Sequence, residues 1–555
     1  MGALNDSVTG GEAVYRVLRD QGVDTVFGLL GGSMLELYDA MRAGGDITYV
    51  GARDERAAGH MADAHARMRG GPGIVLGAQA GPGVVNLATA VAEAHLAYSP
   101  LVAICGAISR ADLGKDTFQE IDQVALFAPI AKKSVLVTAP ERLGPMLRDA
   151  IRLAMSGRRG PVVLHVPRDL MSAEVPTPPA EPVRVARAGG PAAADLADIK
   201  THLANATRPL IVAGGGIKWG GGAEVLRDLV ERLGVPVVAS TGHADVMPHG
   251  HPLYAGQGGP RGNRVAARLT SEADLILALG ARLAFNSTFL SHDYVGAGAT
   301  IVQVDIEGAS AGRYFETAVP VQADATETAR ALLDARVGDI GAWRQAFEAD
   351  LVALADERAD EATLTGSPMH PRRALAEIRA ALPADAIVTL DTGNACLQAA
   401  DRLAHHQCPG LITPLDFGLV GFGYAAALGA QAAAPDRPVV SVMGDGGFGF
   451  TMSELTTAVR HTLPVVAVVL DNGAWGAEKA YQLEFFGGRL LGAEIDSPAY
   501  DQVAALCGAL GFHVATAEEI GPAIARALQA RRPAVVHVKI DPDALSTLRK
   551  DLFSK

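Results

Sequence analysis

Cysteine is scarce and scattered in this chain. Cys105, Cys396, Cys408 and Cys507 are its only four, and no two form a Cys-x-x-Cys pair. In 555 residues that pattern argues against a disulfide framework and for reduced thiols in a cytoplasmic home. His405-His406-x-Cys408 has no second cluster to complete a tetrahedral zinc site. No apolar run reaches the roughly 18–20 residues of a membrane span, so no membrane partner is expected. Positive charge is short as well. A formal net charge of −13 leaves no basic face for nucleic acid. Met1-Gly2-Ala3-Leu4-Asn5-Asp6 lacks the basic and apolar regions of a signal peptide, and Asp6 stands where a myristoylation signal has Ser or Thr, so a leaderless chain is the expectation.

What the chain does have is alanine, glycine and valine in alternating strand and helix patterns. Its length suggests about three domains of ordinary size, marked as residues 1–173, 192–340 and 370–545. The first segment runs from a helix-like Gly11 to Asp20 through Val26-Phe27-Gly28, the glycine turn Gly31-Gly32, and strands near Ile74 and Leu101. It ends in a strand at Val162 to Pro167. Glu174 to Pro191, with five prolines, reads as a linker. The second segment has strands near Leu210, Val237, Leu275 and Ile301 in Rossmann-type alternation, without a clean G-x-G-x-x-G fingerprint; Lys218 to Gly222 reads as loop. Helical residues from Thr326 to Ala362 lead to a third segment that begins near Pro371 and ends near Pro542. The expected class is α/β, with three doubly wound parallel-sheet domains.

The most informative stretch is Gly444-Asp445-Gly446-Gly447, followed 27 positions after Asp445 (472 − 445) by Asn472. Each polar residue ends an apolar run, Val439 to Met443 and Val465 to Leu470, that reads as a buried parallel strand, with a crossover helix expected over Met452 to His461. Ligands bind beyond the carboxyl ends of such strands. Two hard oxygen ligands beside glycines that admit close backbone approach suit Mg²⁺ holding a diphosphate. The same residues also suit two ordinary strand-end turns.

Gly-Asp-Gly with an Asn just under thirty residues on resembles the thiamine diphosphate (ThDP) motif of the acetohydroxyacid synthase and pyruvate decarboxylase superfamily, and further motifs follow in that superfamily's order. Gly28-Leu29-Leu30-Gly31-Gly32-Ser33 resembles its first active-site loop. Glu55, in Asp54-Glu55-Arg56-Ala57-Ala58, matches the glutamate that hydrogen-bonds the aminopyrimidine, with Asp54 in place of the usual His. Alone, Glu55 would read as a helix-start carboxylate. Gly81-Pro82-Gly83-Val84-Val85-Asn86 resembles the turn near the pyrimidine, and Phe118-Gln119-Glu120 the segment whose Gln faces substrate. Asp391-Thr392-Gly393-Asn394 resembles a turn contacting the diphosphate. Val420 matches the residue that props the cofactor, and is smaller than the usual Met or Ile. The resemblance implies pyrimidine, middle and diphosphate domains in that order, and Mg²⁺ ligands at Asp445, Asn472 and the Ala474 carbonyl. The implied cofactor contacts include Gly31, Gly32, Pro82, Asn86, Asn394, Val420, Gly444, Gly446 and Gly447. A homodimer or homotetramer is implied too, since the superfamily pairs two subunits to close each site.

The residues after Asn472 bear on the reaction. Gly473-Ala474-Trp475-Gly476-Ala477-Glu478-Lys479 departs from the Met-Val-Val-Gln-Trp run of ordinary acetohydroxyacid synthases and resembles the sulfoacetaldehyde acetyltransferases. Its Trp-Gly-Ala part also resembles benzaldehyde lyase, whose first loop has a His where this chain has Ser33. Glu478 could move protons near the substrate or be a solvent-facing carboxylate. Lys479 could attract an anionic substrate or lie on the surface. FAD is left open, because Gly280-Ala281-Arg282 and Val304-Asp305 fall where synthases contact it but are common turns as well. The reading adopted is an acetolactate synthase-like lyase or transferase. It decarboxylates a 2-keto acid such as pyruvate and transfers the activated aldehyde to an acceptor, with Glu55, Gln119 and Glu478 as catalytic residues. Acetyl transfer to phosphate, acyloin cleavage or ligation, and a catalytically silent family member are its alternatives.

Overall fold

Runs of valine, isoleucine and leucine without polar alternation can be buried on both faces, as parallel sheets require. Three such sheets form here, each of six parallel strands. The computed structural model describes residues 7–546; Met1 to Asp6, on which the leaderless reading rests, lie outside them. The chain forms two compact units.

The first unit takes the chain up to residue 187, together with residues 425–435 and 451–463. Its sheet runs, edge to edge, Thr48–Gly51, Thr25–Leu29, Gly73–Gly77, Leu101–Ala107, Val162–Pro167 and Lys133–Leu136. Glu174–Pro176, at the start of the expected linker, pairs antiparallel with Ser7–Thr9. The helix Glu55–Arg69 is small-residue rich where it packs: a Cβ on Gly59 would lie 2.4 Å from that of Ala90. A buried triad pins it, with Arg67 bridging Asp63 at 2.6 Å and Glu93 at 3.0 Å.

The second unit contains the other two sheets. The middle one runs Tyr254–Gln257, Val237–Ala239, Pro209–Ala213, Leu275–Leu279, Thr300–Asp305 and Val319–Gln322. Counted along the chain this is order 3-2-1-4-5-6, the dinucleotide-fold order. The last sheet runs Leu411–Ile412, Ile387–Leu390, Val439–Gly444, Val466–Asp471, Ala534–Lys539 and Leu510–Val514, the same 2-1-3-4-6-5 order as the first unit's sheet. Lys218 is part of a short helix, Gly215–Trp219, and not of a loop. Its buried Nζ meets Asp245 at 2.7 Å and the Leu411 carbonyl at 2.6 Å.

One element near the central motif differs from the sequence expectation. The helix after Gly444 begins at Asp445, seven residues (452 − 445) before Met452, and runs Asp445–Thr451 before a 3₁₀ turn and the helix Leu455–Arg460. Asp445-Gly446-Gly447-Phe448-Gly449 has poor intrinsic helix propensity. Packing imposes the helix: Phe448 is fully buried, with the Tyr424 and Tyr500 rings 5.3 and 5.0 Å away.

Candidate active site

In the first unit, the strand Thr48–Gly51 delivers the chain to a cap in which Asp54 accepts the Arg56 amide at 2.7 Å, and the helix starts at Glu55. The residue that replaces the usual His is therefore the N-cap. Glu55 is buried, and Asn86 Nδ2 donates to its Oε2 at 3.0 Å. A Cβ on Gly83 would lie 2.9 Å from Oε1, so glycine there leaves the carboxylate its room. The turn before Glu55 is clamped by Glu454, which accepts the Arg53 amide at 2.9 Å, and by His461 Nε2, which accepts the Gly51 amide at 3.1 Å.

The other candidates of this unit gather round Gln79. Its Oε1 accepts the Gly32 amide at 2.9 Å and its Nε2 donates to Gln119 Oε1 at 2.6 Å. A Cβ on Gly31 would lie 2.6 Å from the Ala78 carbonyl carbon. Gln119 sits at φ +69° against Gly81, whose amide donates to Gln123 at 3.0 Å. With its oxygen held by Gln79, Gln119 has its Nε2 donor to offer a substrate. Pro82 opens the short helix Pro82–Asn86 and is exposed. Glu454 and Gln79 were not singled out from sequence. Gln79 lies two residues before the Gly-Pro-Gly turn, a neighbourhood that could have drawn notice.

In the second unit, strand register sets the geometry. Gly444 pairs with Leu470, so Asp445 and Asn472 leave adjacent strand ends. Asp445 is 1% exposed. Ser497 Oγ donates to its Oδ2 at 2.6 Å, while Oδ1 is buried with no hydrogen-bond partner. Burial pushes this carboxyl up to about 6. Asn472 Oδ1 accepts the Ala474 amide at 3.3 Å. Trp475 N donates to Ala493 O and Ile495 N to Gly473 O, which makes Ala474 and Glu494 a non-hydrogen-bonded pair. In such a pair the carbonyl of Ala474 points away from the partner segment. A buried anionic oxygen without a partner, an amide oxygen and an outward carbonyl form a hard-oxygen set that fits Mg²⁺.

Asp391 ties the remaining segments together. Its fully buried carboxylate accepts the amides of Thr392, Gly421 and Gly423 at 2.8, 3.1 and 2.8 Å. Burial pushes it up to about 6, against these amides. A Cβ on Gly447 would lie 3.2 Å from its carboxyl carbon. The turns bearing Asn394 and half-buried Val420 thus share one anchor with the Gly444–Gly447 stretch. Asn394 Nδ2 donates to the Ser546 carbonyl at 2.6 Å, and a Cβ on Gly476 would lie 3.0 Å from Asn472 Nδ2. Gly446 faces Trp475, whose ring would be 2.5 Å from an added Cβ.

Glu478 is exposed on the helix Gly476–Phe485. Lys479 is not a surface lysine. It is buried, with Nζ 3.0 Å from Asp543 and 3.3 Å from the Pro542 carbonyl, because the helix turns it toward residues 542–543. Among the described residues, Asp501, His513 and His537 have ligand atoms within 4.8 Å of one another. Both His537 nitrogens already face carboxylates, Asp471 at 2.6 Å and Asp501 at 3.0 Å, so the group reads as a hydrogen-bonded chain. Beyond the strand Leu275–Leu279, Arg282 pairs with Asp416 at 2.7 Å, and at the end of Thr300–Asp305, Asp305 accepts the Glu307 amide at 2.9 Å.

Comparison with known proteins gives a consistent picture. Three domain profiles of the thiamine pyrophosphate enzymes match: the N-terminal TPP binding domain over residues 8–126, the central domain over 196–332 and the C-terminal TPP binding domain over 391–538. The sulfoacetaldehyde acetyltransferase of Alcaligenes xylosoxydans xylosoxydans is 33% identical over 580 residues, covering 99% of this chain and 96% of that protein. The acetolactate synthase isozyme 2 large subunit of Escherichia coli K12 is 32% identical over 542 residues, 96% of each chain. The probable acetolactate synthase large subunit of Methanocaldococcus jannaschii is 30% identical over 559 residues, covering 96% and 92%.

Proposed function

Since this chain belongs to the thiamine pyrophosphate enzymes, we propose that it is a Mg²⁺-dependent enzyme that makes or breaks a carbon–carbon bond beside a carbonyl. Its donor is a 2-keto acid such as pyruvate, and the two-carbon unit left after loss of CO₂ passes to an acceptor aldehyde or keto acid. The observation that carries this reading is the buried Asp445 Oδ1 without a partner, at a strand end adjacent to that of Asn472. Asp445, Asn472 and the Ala474 carbonyl hold the metal, and Gly444, Gly446 and Gly447 let the diphosphate approach the backbone. Asn394 and Val420 border it.

ThDP, when bound, supplies a carbanion that attacks carbonyls. Glu55, steadied by Asn86, holds the proton shared with the aminopyrimidine, while Gly31, Gly32, Pro82 and Asn86 shape that pocket. Gln119 offers its amide donor to a substrate oxygen as charge develops there. Glu478 moves protons to or from the substrate. A homodimer at least is the proposed assembly, consistent with Phe118 standing 87% exposed beside Gln119. No described helix is long and apolar enough to cross a membrane, and a cytoplasmic location is proposed.

A second reading has a specific observation behind it: a sulfoacetaldehyde acetyltransferase aligns along 99% of the chain. In that case the donor is sulfoacetaldehyde, its C–S bond breaks with sulfite leaving, and phosphate accepts the acetyl group. The protein, supplied with ThDP and Mg²⁺, should be offered pyruvate in one reaction and sulfoacetaldehyde with phosphate in another. Acetolactate and CO₂ from the first, without acetyl phosphate from the second, supports the 2-keto acid reading. Acetyl phosphate alone replaces it with the second, and turnover of neither removes both.

A further inference from the structure

The turn bearing Asn472 and the Ala474 carbonyl is held from behind. Gly473, at φ +62°, donates its amide to Asp471 Oδ1 at 2.9 Å, closing a tight turn on the residue before Asn472. The other oxygen of Asp471 accepts from His537 Nε2 at 2.6 Å and from Lys539 Nζ. Strand register explains the meeting. Val469 pairs with His537 and Asp471 with Lys539, so in these parallel strands all four side chains lie on one face of the sheet. Asp501, on the helix Tyr500–Leu506, accepts from His537 Nδ1 at 3.0 Å. His537 is 2% exposed and Asp471 1%. A ring that donates from both nitrogens to carboxylates is an imidazolium. Burial opposes that charge, but the hydrogen bonds to Asp471 and Asp501 outweigh it and raise its pKa.

We propose that Asp501, His537 and Asp471 form a positioning relay that presets the Asn472–Ala474 turn, and with it two of three metal-binding oxygens, before the cation arrives. The inference rests on the metal role proposed for Asp445, Asn472 and Ala474. One feature favours it over a merely structural hydrogen-bond chain. Asp471 uses one oxygen on the turn itself and the other on the relay, so a shift of His537 moves the turn directly. Partners that orient metal-binding groups typically change metal affinity about 10- to 100-fold when removed.

The test is a Mg²⁺ titration of the full chain with ThDP in excess. It is read by tryptophan fluorescence, because Trp475 follows Ala474 and lies against Gly446, and in parallel by turnover. For His537→Gln the Mg²⁺ concentration at half-saturation is expected to rise about 10- to 100-fold, with kcat at saturating Mg²⁺ close to wild type. Loss of folding would not give that split. Where circular dichroism shows His537→Gln unfolded, Lys539→Met carries the test, since that side chain is half exposed; a smaller shift in the same direction is expected. Wild-type Mg²⁺ dependence in the folded variant overturns the relay. A wild-type protein whose fluorescence responds to neither Mg²⁺ nor ThDP overturns the metal site itself.

Discussion

Glu55 and Gly83 make a pair in which a change of one atom is expected to alter turnover with little effect on the fold. Replacing Glu55 by Gln keeps the size and the contact with Asn86 but removes the ionisable group. Turnover is expected to fall by about 10²- to 10⁴-fold, the usual range for a lost acid–base group; unchanged turnover would remove Glu55 from the mechanism. Gly83→Ala is the subtler probe. Its Cβ would meet Glu55 Oε1 at 2.9 Å and the Gln79 Cβ at 3.1 Å, so the carboxylate must yield. The new alanine stands in a helix, where it stabilises by about 0.5–1 kcal/mol over glycine. The expected outcome is an unfolding midpoint at or above wild type with turnover reduced about 10²-fold by misplacement. A variant that loses stability and activity together would show that Gly83 serves packing alone.

At the scale of elements, the helix Asp445–Thr451 and the turn after Val466–Asp471 touch through Gly446 and Trp475. In Gly446→Ala the methyl would stand 2.5 Å from an indole ring that Phe450 also flanks, at 6.1 Å between ring centroids. Overpacking of this kind costs about 1–3 kcal/mol, and relief comes by moving the Asn472–Trp475 turn away from Asp445. Half-saturation with Mg²⁺ is therefore expected to need roughly tenfold more metal or beyond, since 1.4 kcal/mol is tenfold; a wild-type titration curve would show that the ring gives way freely. The same elements show what could be read in advance. The apolar runs Val439 to Met443 and Val465 to Leu470 announced their strands, and the polar residues that end them announced the candidate site. The helix beginning at Asp445 was hidden because its glycines vote against helix, and only the burial of Phe448 reverses that. Ser497 was hidden too: it lies 25 residues after Asn472 (497 − 472) in a stretch without periodicity, so only the fold returns it to Asp445. His537 had a faint signal as the lone imidazole in an apolar strand, but its partners Asp471 and Asp501 arrive from other elements.

Over the whole molecule, buried titratable groups pull stability in opposite directions as pH falls. Burial holds His60 down to about 3 and His65, His165 and His249 down to about 4. Each binds its proton more readily when unfolded, so its contribution is complete above pH 6.5 and is lost as pH falls toward the folded value. Asp391 is raised to about 6 and acts the other way: its burial cost appears as pH climbs from 3.8 through 6. A bulk profile of unfolding against pH mixes these signs, but a variant difference isolates one of them. His165 is the best placed. Its Nδ1 accepts from Gln123 Nε2 at 3.1 Å and its Nε2 lies 3.0 Å from Ser134 Oγ, an arrangement that suits the neutral ring. His165→Gln does not titrate, so its stability deficit relative to wild type is expected to shrink by about 2 kcal/mol between pH 7.5 and pH 5. Denaturant unfolding at the two pH values measures it. A deficit that stays constant would mean that the folded ring takes up its proton as readily as the unfolded one, and that burial does not hold it neutral.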